Sequence, residues 1–206
     1  MDPLLPKFYH RETLEVAPDL LGKYLVRNIH GQQLVGKIVE VEAYKGPIDK
    51  GAHSYNYKRT PRTEAMFGPP GHAYIYLIYG MYYCLNVVTE VEGEPCGVLI
   101  RAIEPIEGVD YMAILRYKKS LAEITRGQQK NLTNGPGKLC MAMNITKEQY
   151  QWPLWKKDFY IAEGEEIAPS QIVRSKRINI DYAEEAKDFL WRYSIKDNPY
   201  VSVKPK

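Results

Sequence analysis

The segment Ile38-Val39-Glu40-Val41-Glu42-Ala43-Tyr44 sets two carboxylates and a phenol at alternate positions. In a strand the side-chain period is two, so Val39, Val41 and Ala43 point to one face and Glu40, Glu42 and Tyr44 to the other. A carboxylate two residues from an aromatic ring suits hydrolysis of a planar substrate. The ring holds the substrate while the carboxylate accepts a proton from an attacking water. The same pattern also fits an ordinary amphipathic strand with solvated glutamates.

A second unit runs from Tyr74 to Asn86. Tyr74 and Tyr76 share one strand face, and Tyr79, Gly80 and Met81 fall at the tip of a hairpin. Bulky side chains on a tip are costly to expose unless a partner meets them. Wedging between base steps of a duplex is one such use, and folding back onto the core is the alternative. His53 stands alone in Gly51-Ala52-His53-Ser54. The four histidines (His10, His30, His53, His72) have no metal-ligand spacing, so no metal site is expected.

Gly135-Pro136-Gly137-Lys138-Leu139 is not a phosphate-binding P-loop. Leu132 stands where the first Gly is needed and Leu139 where Ser or Thr is needed. Lys138, with Arg59 and Arg62 of the polar loop, could instead meet backbone phosphates, or could be solvated surface charge. No GxSxG, HExxH or GxGxxG pattern occurs, so no nicotinamide, flavin or pyridoxal cofactor is indicated.

The elements that must carry these residues follow from turn signals and periodicity. A short helix is expected at Pro18–Gly22, and strands at Lys23–Ile29 and Leu34–Tyr44 joined by a turn at His30-Gly31-Gln32. A long loop follows from Gly46 to Gly71, and loops of that length are usually functional. A Tyr-rich hairpin comes next, Ala73–Tyr79 and Tyr82–Thr89, then a strand at Gly97–Ile103. Helical spacing marks Glu107–Lys119 and a short helix Lys138–Met143. Further strands are expected at Asp158–Ala162, Gln171–Ile178 and Phe189–Ile195. Many hairpin-joined strands with few helices predict a mixed α/β (α+β) fold in a single domain spanning residues 1–206. Its curved, largely antiparallel sheet would be flanked by helices, with the Tyr-rich hairpin projecting.

The whole chain sets bounds on these readings. Its 206 residues can bury roughly two-thirds of the unfolded surface without a metal or disulfide. Three cysteines without a CxxC pair argue against a secreted disulfide framework and point to a reducing, cytoplasmic setting. No apolar run approaches the ~20 residues of a membrane span, and Met1–His10 does not read as a signal peptide. A net charge of +3 permits a polyanionic partner without demanding one. Seventeen tyrosines against four phenylalanines suit a wettable surface that stacks on bases, or simply sheet faces.

The segments Ile38–Tyr44, Ala52-His53-Ser54, Thr60-Pro61-Arg62, Met66-Phe67, Tyr74-Ile75-Tyr76 and Ile78–Tyr82 resemble alkyladenine (3-methyladenine) DNA glycosylases in order and spacing. So do Leu85-Asn86, Leu99–Pro105, Asn134–Cys140 and Tyr200-Val201-Ser202. The resemblance runs from about Lys7 to Val203. It implies base-excision repair by a monofunctional enzyme. Such an enzyme flips alkylated or deaminated purines out of double-stranded DNA, of the 3-methyladenine, 7-methylguanine, hypoxanthine and ethenoadenine class. It then hydrolyses the N-glycosidic bond, leaving an abasic site without strand cleavage, cofactor or metal.

By the same resemblance Glu42 is the general base and Arg101 helps hold the water and Glu42. Tyr44 lies under one face of the flipped base, with His53 and Tyr76 on the other. The backbone around Gly51 and His53 reads the purine edge. Asn86 excludes the 2-amino group of normal guanine. Tyr79 fills the gap left in the duplex, with Met81 near the opposite base. Gly51 and Val41 stand where alanine and threonine are common in that family. A monomer is the default expectation. Two rivals remain open on the residues alone: a nucleic-acid-binding domain without catalysis, and a hydrolase of free nucleosides.

Overall fold

The computed structural model describes residues 1–204. Helices α1 (Pro6–Tyr9) and α2 (Thr13–Asp19) precede strands β1 (Tyr24–Ile29) and β2 (Gln32–Tyr44). Then come β3 (Ala73–Ile78), β4 (Tyr82–Thr89), β5 (Cys96–Glu107) and α3 (Val109–Tyr117). Helices α4 (Arg126–Lys130) and α5 (Pro136–Ala142) lead to β6 (Trp155–Lys156), β7 (Phe159–Ala162), β8 (Ile172–Ser175) and β9 (Arg192–Ile195). The fold is α+β on an antiparallel sheet, as expected.

The sheet order is β3-β4-β5-β2-β1-β7-β6, and β8 and β9 form a branch. The long strand β2 makes the branch. Its first half pairs with β1 through Gln32–Lys37, and Glu40–Glu42 pairs with β9. Its other edge pairs with β5 along most of its length. The two glutamates of the sequence motif therefore lie in the middle of the sheet where it forks.

Alternation decides what each strand offers to either face. Ile75, Leu85, Val87, Val98 and Ile100 belong to the main core, with residues of α2, α3 and α5. The intervening Tyr74, Tyr76, Cys84, Asn86, Leu99 and Arg101 line a pocket instead. The core packs large aliphatic side chains at 0% exposure, each contributing roughly 1.5–3 kcal/mol from burial.

Strict alternation, expected along β2, fails there. Ile38 pairs with Ile103, Glu40 with Ala102 and Val41 with Ile100, so Val39 and Arg101 are each skipped in the ladder. Ile38, Val41 and Ala43 belong to the main core and Val39 does not. Bulges next to functional sites re-aim side chains, and here the irregularity falls at Arg101.

Several expected elements differ in extent. The helix expected at Pro18–Gly22 is Thr13–Asp19, with Pro18 in its last turn. Its start is set by Glu12, whose carboxylate accepts from the N–H groups of Leu14 and Glu15, a cap the Pro/Gly rule did not register. The strand expected at Gln171–Ile178 stops at Ser175, and Ile178 joins the pocket wall instead. β5 runs on to Glu107, past Pro105. The Gly46–Gly71 loop contains only short 3-10 turns. The β3–β4 hairpin closes through Tyr79-Gly80-Met81, with Ile78 opposite Tyr82. Tyr79 and Gly80 both have positive φ (53° and 69°), which Gly80 adopts freely and Tyr79 at a cost.

Candidate active site

One row across four strands sets the floor of the pocket: Tyr74 opposite Asn86, Asn86 opposite Leu99, Leu99 opposite Glu42. The pocket above it has a volume of about 450 Å³, within the range of small-ligand sites. The sequence-predicted Tyr44, Gly51, His53, Arg62, Tyr76, Tyr79, Asn86 and Arg101 all line it.

Glu42 is fully buried directly behind this lining. The Tyr44 hydroxyl donates to its Oε2 at 2.9 Å and the Ile178 N–H to its Oε1 at 2.8 Å. The Arg101 guanidinium lies 3.3 Å from the same Oε1. A carboxylate offers about four lone-pair sites, so these three contacts leave acceptor capacity unused. Burial works against the charge of Arg101, but Glu42 and Glu40 overcome it and hold the guanidinium above its usual range.

Aromatic groups form the side walls. The His53 ring meets Tyr76 edge to face, centroids 4.7 Å apart. His53 Nδ1 lies 2.9 Å from the Tyr74 hydroxyl, and Arg62 donates to Nε2 at 3.4 Å. An acceptor at Nε2 leaves the proton on Nδ1, donated to Tyr74. Burial first, then Arg62, pushes His53 down to about 4, so the ring is neutral at pH 7. Burial likewise lifts the phenols of Tyr44 and Tyr76 well above their ordinary value, so both are uncharged. Cys84, beside Tyr76, is lifted to about 11 by burial and is an unreactive thiol.

Asn86 is buried and donates to the Tyr74 carbonyl at 3.1 Å, which fixes its amide in the pocket floor. The Gly51 N–H donates to Asp49 and its carbonyl accepts from the Tyr182 hydroxyl. Gly51 therefore shapes the pocket with its N–H already donated and its carbonyl already accepting one bond. A Cβ at Gly51 would stand 3.0 Å from Arg177 and 3.1 Å from Asp49, so an alanine would press on that pair.

Tyr79 and Met81 are 73% and 64% exposed at the hairpin tip beside the pocket mouth. Lys138 donates to the side-chain carbonyls of Asn131 and Asn134. Arg59 is matched in two bonds by Glu64 and lies over the Phe67 ring, so its charge is largely answered within the protein.

Sequence reasoning missed a second group of residues. Arg177 and Asp49 form a fully buried ion pair at 2.5 and 2.7 Å. Arg177 also lies 4.6 Å from the Tyr44 ring centroid and donates to the Ala43 carbonyl. The next residue, Ile178, supplies the N–H on Glu42. Glu40, read as part of a solvated face, is fully buried. Only its alternation with Glu42 could have flagged it; Asp49 and Arg177 carry no local signal. Among the described residues no group of three or more His, Cys, Asp or Glu could hold a metal ion, and no helix is long and apolar enough to cross a membrane.

Known proteins match this chain along nearly all its length. The family profile described as methylpurine-DNA glycosylase (MPG) matches residues 7–199. A Clostridium acetobutylicum protein, provisionally named 3-methyladenine DNA glycosylase, is 58% identical over 203 residues, 98% of either chain. A protein of the same provisional name from Alkaliphilus oremlandii is 58% identical over 96% of this chain and 98% of its own. One from Bacillus cytotoxicus is 55% identical, again over 96% and 98%. The chain belongs to the methylpurine-DNA glycosylase family of DNA repair enzymes.

Proposed function

We propose that the protein flips an alkylated or deaminated purine out of duplex DNA into the aromatic pocket and hydrolyses its N-glycosidic bond with a water activated by Glu42. The observation that carries this reading is the buried Glu42 carboxylate, fixed by Tyr44, Ile178 and Arg101 directly behind a pocket walled by aromatic rings. The base lies between Tyr44 on one side and His53 and Tyr76 on the other. These rings are all uncharged, and an electron-rich wall favours a purine made cationic by alkylation. The same charge weakens the bond to be broken, so the enzyme needs only a placed water, a proton acceptor and a dry site. No lysine nucleophile enters the scheme, and the product is an abasic site in an uncut strand.

Flipping costs a few kcal/mol, least at damaged or mismatched pairs. Stacking in the pocket returns roughly 1–3 kcal/mol per base. Tyr79 fills the vacated step, with Met81 beside the orphaned base. The reading is tested by giving the enzyme the same lesion in duplex DNA and as the free nucleoside. Excision from the duplex alone is expected, with Tyr79→Ser slowing capture of the duplex by roughly 10-fold, about 1.4 kcal/mol. Equal turnover of the nucleoside, with Tyr79→Ser silent, would favour a nucleoside hydrolase.

In this reading Arg62, in the pocket wall, and Lys138, next to the lining residue Gly137, meet backbone phosphates. Each of Arg62→Gln and Lys138→Gln should reduce the slope of log affinity against log salt by about 1. Arg59, already matched by Glu64, should contribute a smaller change. Duplex binding measured by anisotropy from low to moderate salt checks this. Unchanged slopes would remove these residues from the DNA interface.

A further inference from the structure

Glu40 lies two residues before Glu42 on the same strand and is equally buried, yet nothing in the proposed chemistry uses it. It accepts from Arg101 Nε at 3.1 Å, from Arg192 at 3.0 Å and from the Ser202 N–H at 2.6 Å. Arg101 therefore directs a hydrogen bond at Glu40, while its contact with Glu42 is a looser 3.3 Å approach. Its third nitrogen reaches the Ser202 hydroxyl at 3.3 Å. Arg192, on β9, also donates to the carbonyls of Lys176 and Val203, and so binds the chain's last described segment over the site.

Two carboxylates and two guanidiniums thus occupy one buried cluster, and their charges balance. From this geometry we propose that Glu40 and Arg192 are positioning residues that set the basicity of Glu42, by dividing the charge of Arg101 between two carboxylates. An arginine devoted to Glu42 alone would stabilise its ionised form and make it a poorer proton acceptor. By drawing the directed bond to itself, Glu40 keeps Arg101 close enough to orient Glu42 without quenching it. This inference rests on the reading of Glu42 as general base.

The other groups facing Glu42 do not supply the missing charge. Tyr44, Tyr76, Tyr182 and Cys84 are lifted by burial and stay neutral. Arg177 is neutralised by Asp49. His53 is pushed down to about 4 by burial and by Arg62, with neither Glu40 nor Arg192 among the causes.

The sign of the effect is the test. Removing the charge of Glu40 leaves the cluster with one excess positive charge, and Glu42 stays ionised to lower pH. Removing the charge of Arg192 leaves one excess negative charge, and Glu42 takes up its proton at higher pH. Single-turnover excision of 7-methylguanine from duplex DNA is measured against pH, because that leaving base is already cationic throughout the acid limb. The acid limb should move down by about one pH unit in Glu40→Gln and up by about one unit in Arg192→Gln, the displacement expected of one nearby unit charge. Glu40→Asp, which keeps the charge, should leave the limb near its wild-type position. Limbs that coincide with wild type, or move in the same direction, overturn the inference, since a merely structural role slows both variants without opposite displacements. If one variant does not fold, the other against Glu40→Asp decides. Glu42→Gln belongs in the same series. Excision surviving there sinks the general-base reading, whereas its loss there with unmoved limbs sinks only this inference.

Discussion

Glu42→Gln is expected to lower single-turnover excision by about 10²–10⁴-fold, the usual worth of a placed general base, while damaged duplex stays bound. The substitution keeps the shape of the side chain: with the amide oxygen in the Oε1 place it still accepts from the Ile178 N–H, and the NH2 in the Oε2 place donates to the Tyr44 hydroxyl, which turns to accept. What it removes is the charge that, in the proposed mechanism, takes the proton from water and faces the cationic sugar. In the same proposal binding rests on other groups: the aromatic walls, the hairpin tip and the cations Arg62 and Lys138. Excision and binding should therefore separate cleanly. Loss of both together would mean that the substitution collapses the site, and retained excision would mean that another group activates the water.

The second large effect is on stability. Arg177→Met should cost about 3–5 kcal/mol, because it strands Asp49 as an unpaired charge with no exposure. For a chain of this length that lowers Tm by roughly 10 °C, read by calorimetry or circular dichroism. The pair does more than satisfy itself. Asp49 accepts from the N–H groups of Lys45 and Gly51, fixing the loop that enters the pocket, while Arg177 lies over the Tyr44 ring and precedes Ile178. The double variant Asp49→Asn with Arg177→Met removes both charges and should recover part of the loss, since a buried pair is often replaceable as a unit. No recovery in the double variant would place the cost in packing around Tyr44 and Trp191 and not in the stranded charge.

The parts of this architecture that were legible in the sequence are those written in local pattern. Alternation and turn residues located the strands of the central sheet, and Gly80 between two tyrosine-bearing runs marked the β3–β4 hairpin. The same alternation set Glu40, Glu42 and Tyr44 together, but it gave no means to tell a solvated face from one covered by distant chain. The cover comes from β9 and from residues 177–182 and 198–203, more than 130 positions away along the chain. The skipped Val39 and Arg101 in the β2–β5 ladder were invisible for a related reason. A bulge is a property of two strands in register, and neither strand announces it alone. Arg177 and Asp49 lie 128 residues apart, and nothing beside either one predicts the other. The individual roles within the pocket came from likeness to a family, not from periodicity.

We propose above all that this protein releases a damaged purine by hydrolysis and leaves the strand whole. The most direct measurement is a single-turnover reaction, with chelator present, on duplex DNA carrying one 7-methylguanine, with free base and strand length read from the same sample. Stoichiometric release of free base is expected, with strands that break only after later alkaline treatment and no covalent protein–DNA adduct on borohydride addition. Strand cleavage or a trapped adduct would contradict the water-based mechanism. No release from 7-methylguanine, 3-methyladenine or hypoxanthine duplexes would contradict the excision itself.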